Sequence, residues 1–446
     1  NMKPLVLVTG PPATRSGYGA HTRDLIHSLI EMDRYDIKIN SMRWGNCPMN
    51  ALNDQNPKDK LIIDRLMKSN NLDRQPEIHI QVSIPTEFNP IGKYNIGITA
   101  GMENTVPRAE WVDGLNRMNL NIVPSSFVKT TFEKVQYDKI DEQTKQPVGQ
   151  LKMERPMEVL FEGADLNIYK KTSEFSPQLV DEMNKIKENF LFLYTGHWLQ
   201  GGLGKDRKDT GMLVKTFLET FKNKKNPPAL LMKTSGATFS ILDRNLILEK
   251  INEIKKTISS KSLPNIYVLH GDLEDEEMNE MYNHPKVKAH VTFTHGEGFG
   301  RPLLEACFSE KPIIAPNWSG HVDFLNKANS VLLPGTLVDV DKSAIPKDML
   351  QLGAKWFGVN YQYAGQMLLK VFKDNKKLTL NAKKMAIINK SKFSLDNMTK
   401  EFEKILDKHL PNFVEPPKAV DLKLPKLKKI GDAAPPTIKL PKLKKV

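Results

Sequence analysis

The chain has 446 residues, enough for two or three domains that each bury a full core. No apolar run approaches the roughly 18 residues that cross a bilayer, and the stretch Met2–Val8 is too short for a signal-peptide apolar region. The two cysteines, Cys47 and Cys307, argue against a disulfide framework or a cysteine metal site and fit a cytoplasmic protein, while the net charge of +13 points to anionic partners, either nucleotides or a polyanion.

In chain order, Leu5 to Val8 reads as a first strand. The loop Arg15-Ser16-Gly17-Tyr18-Gly19 follows, and then an amphipathic helix from Ala20 to Met32, with Leu25, Leu29 and Met32 at helical spacing. Tyr35 to Asn40, Ile78 to Ile84 and Tyr94 to Thr99 read as strands, with a helix from Leu61 to Met67 among them. Glu103 follows a strand end, where ligands bind in open α/β sheets, with a plain loop carboxylate as the less favoured alternative. Asn121 to Phe127 leads into a helix capped by Ser125 or Ser126. The polar stretch 136–155 fits an insertion loop. A buried-strand run, Phe190 to Thr195, opens a second series: the glycine-rich loop Gly196 to Asp209, a helix carrying Met212, Leu213, Phe217, Leu218 and Phe221, a strand from Ala229 to Met232, a helix near 247–258, and a strand from Ile266 to Leu269. The Gly201–Gly204 run is either a mobile flap or a longer turn. Ala289 to Phe293 and Pro312 to Ala315 read as strands, Val331 to Leu333 as a last short strand, and 361–372 and 395–410 as helices. Strands alternating with helices argue for parallel sheets.

The stretch that organises the rest is His295-Gly296-Glu297-Gly298-Phe299-Gly300-Arg301-Pro302-Leu303-Leu304-Glu305. A strand precedes it and a helix follows from Pro302, a residue suited to the first helical position. Glycines let the turn backbone approach a ligand, and the free N–H groups at the helix start favour an anion. Glu297 and Glu305 flank the turn. A carboxylate only accepts hydrogen bonds and can take both hydroxyls of a vicinal diol. A phosphate seat between two diol readers fits a sugar nucleotide.

This E-x7-E pattern in EGFGRPLLE resembles the motif of retaining glycosyltransferases of family four. The resemblance covers roughly residues 3–410 and implies an α/β GT-B fold: two doubly wound Rossmann-like domains facing each other across a cleft. The expected domains are 1–165 on the acceptor side, completed by a returning helix at 395–410, and 166–394 on the nucleotide-sugar side. By the resemblance, Glu297 contacts the donor sugar and Glu305 the ribose, while the amides of Gly298, Phe299 and Gly300 face the diphosphate and sugar. Gly17 and Gly19 let the backbone pass close to the donor phosphates, and His21 faces the cleft, unless it is a helix-start histidine with local hydrogen bonds. Glu103 lies in the acceptor half. The Arg207-Lys208 pair holds the diphosphate, and His197 stands where the family has a first arginine. Gly271 and Leu273 line the nucleobase. Glu297, Lys208 and Glu103 are the expected catalytic residues. No cofactor is required; Asp339-Val340-Asp341 is a formal D-x-D but lies in a turn-rich stretch, and no metal site is expected there.

The last segment, 411–446, departs from the family. LKLPKLKK recurs as IKLPKLKK, and from Glu415 onward nine lysines stand against three acids, a net of +6. A flexible arm is expected, with Lys426, Lys428, Lys429, Lys442, Lys444 and Lys445 as nucleic-acid contacts. An anionic membrane is the other target, since Leu and Ile alternate with Lys. The sequence reading is therefore a retaining glycosyltransferase using a nucleotide-diphosphate sugar, UDP-linked for preference. Its favoured acceptor is a hydroxymethylated base of viral DNA, which places it in the host cytoplasm. A surface-polysaccharide or lipid-linked acceptor, a sugar-nucleotide epimerase and a non-enzymatic sugar-nucleotide sensor are the alternatives.

Overall fold

The structure is a computed structural model that describes residues 2–236 and 238–413. The first half alternates β1 (Leu5–Gly10), α1 (Gly17–Met32), β2 (Asp36–Ser41), α2 (Pro57–Ile63), β3 (Ile78–Val82), β4 (Tyr94–Ile98), α3 (Ala109–Asn116), β5 (Leu120–Val123), α4 (Ser126–Lys134), β6 (Gln136–Ile140), β7 (Pro147–Lys152) and β8 (Met157–Val159). Six of these strands form one sheet in the order β2-β1-β3-β4-β5-β8, every pair parallel. The inner strands β1, β3, β4 and β5 are buried along nearly their whole length, as expected when helices cover both sides of a sheet, while the edge strand β2 alternates exposed and buried residues.

The second half runs α5 (Pro177–Asn184), β9 (Leu191–His197), α6 (Thr210–Phe221), β10 (Ala229–Ser235), α7 (Ile241–Lys256), β11 (Ile266–Leu269), α8 (Asp275–Asn283), β12 (Val287–Val291), α9 (Arg301–Cys307), β13 (Ile313–Pro316) and β14 (Val331–Leu333). It continues with β15 (Gly335–Asp339), β16 (Lys355–Val359), α10 (Tyr361–Lys373), α11 (Asn375–Lys392) and α12 (Leu395–His409). Its six-stranded sheet has the order β11-β10-β9-β12-β13-β14, again all parallel. One face is packed by Phe192, Phe217, Phe221 and Ile251, the other by Leu193, Tyr282, Phe308 and Met385.

The chain crosses between the sheets twice, and the crossings hold each other. The Ala164 N–H donates to the Phe393 carbonyl at 3.0 Å, and the Leu395 N–H donates back to Ala164 at 2.8 Å. Beyond that point α12 lies on the first half: Ser28 and Thr399 hydroxyls meet at 2.8 Å, Arg34 donates to Asp407 at 2.6 Å, and His409 pairs with Glu158 at 2.7 Å.

Several elements differ from the sequence reading. Gly17 and Gly19 lie in the first turn of α1 rather than in the loop, because the Ser16 hydroxyl caps that turn by accepting from the Gly19 N–H at 2.9 Å. Helix α2 starts and ends about four residues early: Asn56 caps it, Pro57 opens it, and Leu66 is drawn into a bridge with Ile39. The stretch 136–155 is no loop but the antiparallel hairpin β6–β7, whose side chains are mostly exposed and so show no apolar face. Val331–Leu333 is not the last strand, since β15 and β16 form a further hairpin that carries Asp339. The tail lysines Lys426, Lys428, Lys429, Lys442, Lys444 and Lys445 lie outside the described residues.

Candidate active site

The site forms where the C-terminal ends of both parallel sheets meet, the place at which open α/β sheets bind ligands. A cavity of about 890 Å³ lies there, and Gly17, His197 and Leu273 are all on its wall. Ser16 and Gly17 bring the N-terminus of α1 to it, and Asp272 to Glu276 bring the loop after β11 and the start of α8.

Glu297 sits in the turn between β12 and α9. Its N–H donates to the Ser319 hydroxyl at 2.9 Å, which fixes the turn. Lys208 donates directly to Glu297 Oε1, and Arg207 Nη1 stands 3.7 Å from Oε2. Arg207 also reaches Glu103 Oε1 at 3.4 Å and donates to the Gly296 carbonyl at 3.3 Å. The three expected catalytic residues, Glu297, Lys208 and Glu103, therefore converge around one guanidinium. Burial alone pushes the Glu297 carboxyl up, but the Lys208 and Arg207 cations outweigh it and hold it at about 2. Burial keeps the Lys208 ammonium below its ordinary value despite that carboxylate. Lys208, Glu297 and Gly300 also line a small void of about 20 Å³ inside the second half, among Leu193, Tyr282 and Val291, whereas Glu103, Arg207, Lys208, Glu297 and Glu305 are not on the wall of the large cavity.

Gly298 packs so closely that a Cβ would strike the Ala100 carbonyl of the opposing half. Phe299 is not free to line the cleft with its ring, which is buried against Phe324 at 5.0 Å. Gly300 ends the turn with φ +91°, a left-handed conformation that favours glycine, and caps α9. Glu305 lies one turn into α9. Burial pushes its carboxyl up to about 7, against the pull of Arg301, whose Nε donates to Glu305 Oε1 at 2.9 Å.

His197 ends β9 and contacts the Ser235 hydroxyl at 3.1 Å. It is exposed on the cavity wall, yet the protein around it and the Lys208, Arg207 and Lys233 cations push its imidazole below its ordinary value. It is a neutral group at pH 7 and does not replace an arginine's charge. His21 is buried inside α1; burial and Arg301 push it down to about 3, and its Nδ1 lies 3.8 Å from Glu162. Gly271 accepts a hydrogen bond from Lys233 Nζ at 2.6 Å. The Gly201–Gly204 run is pinned: His295 Nε2 lies 2.9 Å from the Gly204 carbonyl, and Lys205 pairs with Asp341 at 3.1 Å. Asp339 pairs with Lys355 at 2.8 Å, and among the described residues no group of three or more His, Cys, Asp or Glu is arranged to hold a metal ion.

Sequence reasoning passed over Arg301, Asp24, Glu162 and Arg15. Arg301 donates to Asp24 at 2.7 Å, and Arg15 pairs with Asp272 at 3.1 Å; both contacts join the two halves across the cleft. Arg301 did carry a signal, because a cation at the first position of a helix runs against the helix dipole.

No protein-family model matches the sequence, and no curated protein matches it. Solved structures do. A glycosyltransferase from Rickettsia africae matches with 16% identity and a TM-score of 0.58, over 92% of this chain and 100% of that one. Sucrose-phosphate synthase from Thermosynechococcus elongatus matches with 11% identity and a TM-score of 0.58, over 91% and 99%. Anabaena HepE in complex with UDP-glucose matches with 12% identity and a TM-score of 0.57, over 91% and 100%. At these identities the likeness is one of fold: the chain has two six-stranded, parallel, Rossmann-like domains in the GT-B arrangement.

Proposed function

We propose that the protein is a retaining, metal-independent glycosyltransferase that takes a sugar from a nucleoside diphosphate, UDP for preference. The observation that carries this is the convergence of Lys208 and Arg207 on Glu297, with Glu305 one turn further along α9. In this reading the donor's diphosphate takes over the two cations, Glu297 turns to the sugar hydroxyls and Glu305 to the ribose diol. Gly17 and the turn at Gly298 to Gly300 allow close backbone approach, and Gly271 and Leu273 line the base. The acceptor hydroxyl attacks the anomeric carbon from the face the diphosphate leaves. The C–O bond to the leaving phosphate breaks as the new C–O bond forms, and that phosphate takes the acceptor proton. The protein contributes positioning and fixed positive charge. Glu103, tied to Arg207, marks the acceptor half. Lys208 and Arg207 supply the charge a metal would otherwise bring.

For the acceptor we propose a hydroxyl on DNA, a hydroxymethylated base being the chemical type. Support comes from the net charge of +13 and from α11, whose 18 residues include six lysines and no acid. A second reading, an acceptor held at an anionic membrane, is favoured by Leu380 and Ile387, which are exposed among those lysines. The test is incubation with UDP-sugars and hydroxymethylated DNA, read by nucleoside mass spectrometry. A glycosylated nucleoside supports the reading. Transfer only to lipid-linked acceptors moves it to the second. Sugar interconversion without acceptor, or donor binding with no turnover, overturns glycosyl transfer.

A further inference from the structure

We infer that Arg301 is a positioning residue that holds the Glu305 carboxylate in place for the donor's ribose and ties that grip to α1 through Asp24. The inference rests on the donor reading above and adds a residue to it.

Arg301 opens α9 directly behind the left-handed Gly300. Helix energetics oppose a cation there, so its place is explained by what it contacts. Nε donates to Glu305 Oε1 at 2.9 Å on the same helix. Nη2 donates to Asp24 Oδ2 at 2.7 Å on α1, in the other domain. A third carboxylate, Glu162 on the first crossing between the sheets, adds to the attraction. The guanidinium is planar with its donors in a fixed fork, so two of its edges set the distance between Asp24 and Glu305. Nη1 is buried without a partner.

Glu305 needs such a partner. Its side chain is only 11% exposed. Asp275 at the start of α8 disfavours its charge further, whereas Arg301 and the Tyr169 hydroxyl favour it. Tyr282 on α8 also faces it. Behind Arg301 stand Asp24, Glu162 and the neutral His21. Of the groups acting on Glu305, Arg301 is the cation. Only the ionised carboxylate offers acceptors alone to a diol.

The experiment is calorimetric titration of the full chain with UDP, GDP and ADP between pH 6 and 9, continued with the tightest binder and its 2′-deoxy analogue. Wild type should lose affinity as the pH falls through about 7, where Glu305 takes up a proton. Arg301→Leu should lose roughly tenfold or more at pH 7, the worth of a charge-assisted hydrogen bond. Its midpoint should move to higher pH, so that affinity partly returns by pH 9. Arg301→Lys should restore the midpoint but not the full affinity, because it keeps the charge and loses the fork. With the 2′-deoxy nucleotide the loss should shrink. A loss that is the same at every pH and for both nucleotides would make Arg301 a merely structural ion pair and overturn the inference, with the donor reading left standing. A wild type that binds none of the three nucleotides would overturn the donor reading and the inference with it.

Discussion

Replacing Glu297 by Gln should remove a specific block of acid-dependent stability. The carboxyl has an ordinary value of 4.5; burial would raise it, but Lys208 and Arg207 hold it at about 2 in the folded chain. Its side chain is 12% exposed and that of Lys208 11%, so solvent screens the pair little. A group depressed this far contributes about 3 kcal/mol of stability. The folded value is the lower one, so the contribution is complete above pH 4.5 and disappears as the pH falls towards 2. Urea denaturation followed by tryptophan fluorescence at pH 7, 5, 4 and 3 reads it. Wild type should lose stability steeply below pH 4.5, and Glu297→Gln should lose less over the same range. The variant should also start lower at pH 7, because Lys208 is left buried with a neutral neighbour; breaking a buried pair from one side costs about 3–5 kcal/mol. Parallel pH curves for the two proteins would refute the reasoning, since a uniform offset is what loss of packing alone produces.

Lys208→Ala should lower kcat more than it raises donor KM, by about 10²–10³, because charge builds on the diphosphate as the bond breaks; steady-state kinetics that show only a KM effect would contradict this. EDTA should leave transfer intact, and complete inhibition that added metal reverses would move attention to Asp339 and Asp341. Deleting 415–446 should lower the slope of log DNA affinity against log salt by about 0.9 per lost phosphate contact, while donor hydrolysis stays unchanged. Identical slopes in a salt titration of the two proteins would remove the DNA role of that segment.

The fold was legible because its strands are short apolar runs separated by helical periodicity, and Leu5–Gly10 and Leu191–His197 are buried along most of their length. Other elements lacked that signal. In β6–β7 nearly every side chain is exposed, so the hairpin shows no apolar face in the sequence. At the site, Glu297 and Glu305 stood out because they flank one glycine-rich turn, whereas Arg207 and Lys208 stood out only through the family resemblance. What spacing could not show was partnership. Arg301 meets Asp24 across 277 positions and Arg207 meets Glu103 across 104, contacts made by the facing of two domains rather than by any local pattern.

The mutual neutralisation of Lys208, Arg207, Glu297 and Glu103 has a consequence for which molecules can occupy the site. On the donor reading proposed above, the carboxylates stand in for the diphosphate, so a passing anion meets a region of nearly balanced charge and feels little long-range pull. To seat itself it must displace oxygens that are already positioned at contact distance. Orthophosphate brings too few contacts for that exchange, while a ligand held at base, ribose and two phosphates together brings many. Selectivity then works by exclusion, with the competitor built into the chain.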